Sequence, residues 1–146
     1  MKNLTKRPFS GIRQRHVNEV VWNIYGYKFY NNEACLDRLI SFATEDLQDE
    51  DFDIIVPIQP RNSGSDIVRR LAVVVSNNLN KELCDILSST NSSVTDKTLL
   101  RGKTILIIDD VYYTGKTTRK AEKALQRLKP KKIVCYALAK STNSKL

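Results

Sequence analysis

The stretch Lys103–Thr118, KTILIIDDVYYTGKTT, limits the fold more than any other part of the chain. Four apolar residues, Ile105 to Ile108, run without a polar position between them, as in a strand buried on both faces. The run ends in two adjacent carboxylates, Asp109 and Asp110, at the mouth of the strand. Directly after them Thr114, Gly115, Lys116, Thr117 and Thr118 form a Gly-containing turn that opens onto an amphipathic helix. Any account of the chain has to explain the acids and the turn together.

The strand does not stand alone. From residue 53 the sequence alternates between strand and helix patterns. DIIVPI (Asp53–Ile58) is a second buried-type run, followed by the turn chemistry of QPRNSG (Gln59–Gly64). In SDIVRRLAVVVSNNLN the apolar residues Ile67, Val68, Leu71, Ala72, Val75 and Leu79 recur at helical spacing, with Ser65 or Asp66 as N-cap. ELCDIL (Glu82–Leu87) predicts a strand, and the polar run Ser88–Lys103 a long mobile loop. TRKAEKALQRLK places Ala121, Ala124, Leu125 and Leu128 on one helix face, stopped by Pro130, and KIVCYALA (Lys132–Ala139) predicts the last strand. This rhythm predicts an α/β fold: a doubly wound parallel sheet, Rossmann-like, in residues 51–146. With strand order 2-1-3-4 the switch point lies between the first and third strands, where such sheets bind ligands.

Residues 1–50 stand outside the rhythm and predict an N-terminal extension. Asn32–Leu47 reads as an amphipathic helix. VVWNIYGYKFY (Val20–Tyr30) reads as an aromatic strand, with Trp22, Tyr25, Tyr27, Phe29 and Tyr30 packed into nine residues.

Three chemistries compete for the acids and the turn. A nucleotide P-loop of the form G-x-x-x-x-G-K-[ST] would need glycine at position 110, where Asp110 would repel the phosphates. A receiver-type acidic pair belongs near the start of a doubly wound unit, and here only 36 residues follow Asp110. The third reading serves both halves. Vicinal carboxylates accept the two hydroxyls of a ribose, and backbone N–H groups at a helix N-terminus bind its 5′-phosphate. Gly115 lets the backbone approach closely, the three threonines add hydroxyls, and Lys116 adds charge.

On these residues ILIIDDVYYTGKT resembles the phosphoribosyl pyrophosphate (PRPP) motif of type I phosphoribosyltransferases, and within them the ComF-like branch. DIIVPIQPRNSGSDIVRRLA resembles the same family's pyrophosphate-loop unit, and ALAKS its last strand, so the likeness covers roughly residues 50–141. It implies transfer of a 5-phosphoribosyl group from PRPP to a nitrogenous acceptor, with pyrophosphate released. By the same resemblance Asp109 and Asp110 are the catalytic, ribose-binding acids. Thr114, Gly115, Lys116, Thr117 and Thr118 hold the 5′-phosphate, and Arg61, Asn62, Ser63 and Gly64 hold the pyrophosphate. Mg²⁺ is carried mainly by PRPP, with no metal site made by the protein alone. The base-recognising hood is expected from residues 1–50, with Trp22, Tyr112 and Tyr113 as base-stacking candidates. Tyr113 stands where the family commonly has a small residue, and Ser88–Lys103 is short for its catalytic loop. Both features favour the alternative of a PRPP- or nucleotide-sensing module without turnover.

Composition adds bounds. The chain of 146 residues suits one modest core. No apolar run approaches the ~20 residues of a membrane span, and MKNLTKRPFSG lacks the apolar segment of a secretory signal. Cys35, Cys84 and Cys135 are odd in number and lie among apolar neighbours, and His16 is the one histidine. They predict buried thiols in the cytoplasm rather than a disulfide set or a metal centre. Positive charge gathers at the ends: residues 116–146 hold ten basic side chains against one acidic, and residues 1–30 hold six against one. That allows a nucleic-acid partner, but no basic-aromatic reader motif supports one, and a solvated helix face accounts for the charge. A homodimer is expected, because the aromatic N-terminal stretch needs cover.

Overall fold

The computed structural model describes residues 17–60, 65–96 and 100–140. Two helices open it, α1 (Val17–Tyr30) and α2 (Glu33–Leu47). Then come β1 (Ile54–Pro57), α3 (Ile67–Leu79), β2 (Glu82–Leu83), β3 (Thr104–Tyr112), α4 (Lys116–Gln126) and β4 (Lys132–Lys140). The strands form one sheet in the order β2-β1-β3-β4, and every pairing is parallel. Ile54 to Pro57 lie against Ile105 to Ile108 in register, so β1 and β3 end side by side. This is the predicted topology, with its switch point between them.

Alternation along β3 explains why both faces are covered. Leu106 and Ile108 join a core made with α1, α2 and α3, whereas Ile105 and Ile107 join a second core with α4 and the segment after β2. All four are at most 1 % exposed. The first core is tied across its depth by the Tyr136 hydroxyl, which donates to Asp46 Oδ2 at 2.6 Å in a buried bond between β4 and α2. A hydrogen bond to a charged group contributes roughly 1.5–3 kcal/mol net.

The aromatic stretch Val20–Tyr30 is a helix, not the strand its composition suggests. The buried positions Val20, Asn23, Ile24 and Tyr27 recur every three or four residues, which is a helix period. Burial of that stripe against α2 overrides the strand preference of the aromatic side chains. Gly26 permits the close helix contact, since a Cβ there would run into the Cys35 sulfur. Asn31, at φ 50°, ends α1, and Asn32 caps α2 by accepting from the Ala34 and Cys35 N–H groups. The pair NN is thus the whole turn between the two helices. Both helices share one apolar core with α3 and the sheet.

Two further elements differ from expectation. Strand β2 is two residues long, because after Cys84 the chain leaves the sheet edge. The start of the polar run is also ordered by hydrogen bonds rather than loose. Leu87 and Val94 form an antiparallel bridge, and the Ser88 N–H donates to Ser93 O. Asn91, 4 % exposed and at φ 61°, closes the turn. Its side chain accepts from the Gln59 N–H at 2.8 Å and donates to Gln59 O at 3.1 Å. The segment after β2 is thereby pinned to the segment after β1. Among the described residues no helix is long and apolar enough to cross a membrane.

Candidate functional site

A cavity of about 270 Å³ opens at the C-terminal ends of β1 and β3. One wall is the exit of β1, from Ile58 to Pro60, together with Ser65. The opposite wall is continuous from Asp109 to Thr118. Nine residues singled out in the sequence therefore line one space: Asp109, Asp110, Tyr112, Tyr113, Thr114, Gly115, Lys116, Thr117 and Thr118. Arg61, Asn62, Ser63 and Gly64 lie outside the described residues, between Pro60 and Ser65, which both line the cavity. Trp22 is not brought to it. Its ring is 73 % exposed on the outward face of α1, away from the buried stripe, because a helix separates positions that a strand would have aligned.

The two acids are held differently. Asp109 Oδ1 accepts the Asp110 N–H at 2.8 Å, and Asp110 Oδ1 accepts the Val111 N–H at 2.7 Å. Asp110 Oδ2 takes the Lys28 ammonium at 2.6 Å. Burial, and then the Asp110 charge beside it, push the Asp109 carboxyl well above the ordinary carboxylate range. Lys28 acts in the opposite direction. Behind Asp109 on β4, burial and the Asp109 charge push the Cys135 thiol up to about 12, so it stays a neutral thiol.

The phosphate-type turn is built by backbone constraint. Gly115 is the N-cap of α4 at φ 81°, and a Cβ there would strike the Tyr112 hydroxyl and the Arg119 guanidinium. No other residue type fits that position without displacing both. The Thr114 hydroxyl accepts from the Lys116 N–H at 3.3 Å, and Arg119 donates to Thr114 O at 3.2 Å. Helix α4 carries no acidic residue in its first turn, so none of its own first-turn side chains offsets its positive dipole end. Thr118 is 2 % exposed, with its side chain against Cys135.

Lys28 is the cavity residue that sequence reasoning missed. The one signal for it was the helical period of Val20, Ile24 and Tyr27, which aromatic content masked. The same helix braces the start of α3. The Tyr27 hydroxyl donates to Asp66 Oδ1 at 2.7 Å and accepts from Arg70, whose guanidinium grips Glu33 of α2 at 2.8 and 2.9 Å.

A raised carboxyl has a stability consequence. The folded chain binds a proton at Asp109 more tightly than the unfolded chain does, so this group's contribution falls as pH rises from about 4 towards the folded-state value. Asp109→Asn should therefore melt at a higher temperature than wild type at pH 7. The gap should close as pH is lowered to about 4, where the unfolded-state carboxyl also takes up its proton. Thermal melts of both proteins across that range check it.

Comparison with known proteins places the fold and the family. The family model of the phosphoribosyl transferase domain matches residues 28–146. The fold resembles the crystal structure of a purine phosphoribosyltransferase from Pyrococcus horikoshii, with TM-score 0.55 and 22 % identity over 73 % of this chain and 83 % of that one. A hypoxanthine phosphoribosyltransferase from Staphylococcus aureus is more distant, with TM-score 0.43 and 14 % identity over 98 % of this chain and 84 % of that one. No curated protein matches significantly in sequence. A parallel sheet of this order, a family match that begins at Lys28, and a cavity at the switch point lead to one assignment: the chain belongs to the phosphoribosyl transferase domain family.

Proposed function

We propose that this protein transfers a 5-phosphoribosyl group from PRPP to a nitrogenous acceptor and releases pyrophosphate. The observation that carries the reading is the convergence of Asp109, Asp110 and the turn Thr114–Thr118 on one cavity, in a chain of this family. The carboxylates accept the ribose hydroxyls. The α4 N-terminus, with Lys116, binds the 5′-phosphate. Arg61 to Gly64, joining two cavity-lining residues, supply the pyrophosphate site. Mg²⁺ enters with PRPP, held by its phosphates and water, and the hard carboxylate oxygens at the rim suit it.

In the reaction the C1′–O bond to pyrophosphate breaks with its electron pair leaving on the pyrophosphate. The acceptor nitrogen bonds to C1′ and gives up its proton. Positive charge develops on the sugar, and carboxylates close to the ring stabilise it. The acceptor lies towards Tyr112 and Tyr113, which line the same cavity. The ComF-like placement rests on the Asp109–Thr117 motif and is part of this proposal, as is a cytoplasmic location.

One observation favours a second reading, a sensing module without turnover. Tyr113 is 53 % exposed and occupies the mouth where an acceptor would enter. Incubation with PRPP, Mg²⁺ and a panel of purine and pyrimidine bases separates the two. Base-dependent pyrophosphate release is the result expected. Binding of PRPP without release for any base would establish the sensor instead.

The partner on the outer face of α1 is proposed to be a second copy. Trp22, Tyr25 and Phe29 form one seam opposite the buried stripe, and with Tyr30 they are 51–81 % exposed. Four such rings offer on the order of 500 Å² per copy, hence about 1,000 Å² for a two-fold pair, where specific interfaces begin. A contiguous exposed aromatic seam of this kind marks an interaction face. Sedimentation of the intact chain should show twice the chain mass, and Phe29→Glu should return it to monomer.

A further inference from the structure

The Lys28–Asp110 contact is not explained by any residue of the donor motif. Lys28 lies in the last turn of α1, and its Nζ reaches Asp110 Oδ2 at 2.6 Å. The two side chains are 31 % and 13 % exposed. The other Asp110 oxygen accepts the Val111 N–H, so both oxygens have a donor that fixes the plane of the carboxylate. Asp109 is in turn held by the Asp110 N–H. Lys28 also lines the cavity, on the side facing the carboxylates.

Two adjacent carboxylates at the end of a buried strand repel each other, and the first of them is already pushed towards its neutral form by burial. A neutral acid offers fewer acceptor sites to a hydroxyl than a carboxylate does. A carboxylate oxygen has two lone-pair directions, so Asp110 Oδ2 can keep Lys28 and still accept from a ligand. The ammonium therefore does not have to leave for a sugar to bind.

We propose that Lys28 is a positioning residue of the donor site: through its ion pair it fixes the Asp110 carboxylate in the orientation that accepts the ribose hydroxyls. Helix α1 is then part of the site rather than a cover for it. The inference rests on the reading that the ribose sits on Asp109 and Asp110, and deepens it by naming what orients them.

The test compares inosine 5′-monophosphate with its 2′,3′-dideoxy counterpart, which keeps base and phosphate and lacks both hydroxyls. Calorimetric titration of the intact chain gives the affinity ratio. Wild type should prefer the ribonucleotide by tenfold or more, since a hydrogen bond to a charged group contributes roughly 1.5–3 kcal/mol and ~1.4 kcal/mol is tenfold. Lys28→Met should lose about tenfold for the ribonucleotide and leave the dideoxy form within about twofold, so the preference collapses. Lys28→Arg should restore most of it. Equal loss for both ligands, or no loss, in a Lys28→Met protein that melts as wild type does would overturn the role of Lys28 alone. A wild type that binds neither these nucleotides nor PRPP with Mg²⁺, or that shows no preference for the hydroxyls, would overturn the ribose reading and this inference with it.

Discussion

The structure depends on how a strand buried on both faces can end in two charges. Ile105 to Ile108 are sealed between two cores, and the next two residues are carboxylates. Charge buried without a partner is strongly disfavoured. Here each carboxylate accepts the N–H of the residue after it, Asp110 also takes an ammonium, and both open onto a cavity. None of these arrangements is available in the middle of β3. The acids can sit only at its C-terminal end, beside the exit of β1, so the constraint that places them also places the site.

The proposed anion end of the site follows within one turn of chain. Between Tyr112 and Lys116 the backbone reverses through Gly115, whose left-handed conformation and crowded Cβ position favour glycine. The helix that follows packs Ala121, Ala124 and Leu125 under the sheet, which aims its positive end back at the strand it came from. The acids and the turn after them line one cavity, which is the arrangement the proposed phosphorylated ribose requires. On the far wall, Asn91 holds Gln59 by its main chain, so the exit of β1 is fixed by the segment after β2.

Most of this was legible in the sequence because it is local. Periodicity showed the β–α order, the alternation of strands with helices implied a parallel sheet, and the motif from Asp109 to Thr118 is contiguous, so it could not be dispersed by folding. What escaped was non-local or masked. Aromatic content made Val20–Tyr30 look like a strand, although its buried residues keep helical spacing. That error carried Trp22 into the candidate site and left Lys28 out of it. The pairing of Lys28 with Asp110 spans more than eighty residues, and no pattern within either segment announces it. Asn91 was likewise hidden in a polar run, where a buried asparagine looks no different from a solvated one.

The central claim is that the carboxylates and the turn after them form one pocket for a phosphorylated ribose. Calorimetric titration of the intact chain with PRPP and Mg²⁺, wild type beside Asp109→Asn/Asp110→Asn, tests it most directly. The account predicts saturable binding by wild type and its loss in a double variant that still folds. Binding of equal strength by both proteins, or none by wild type, would contradict it.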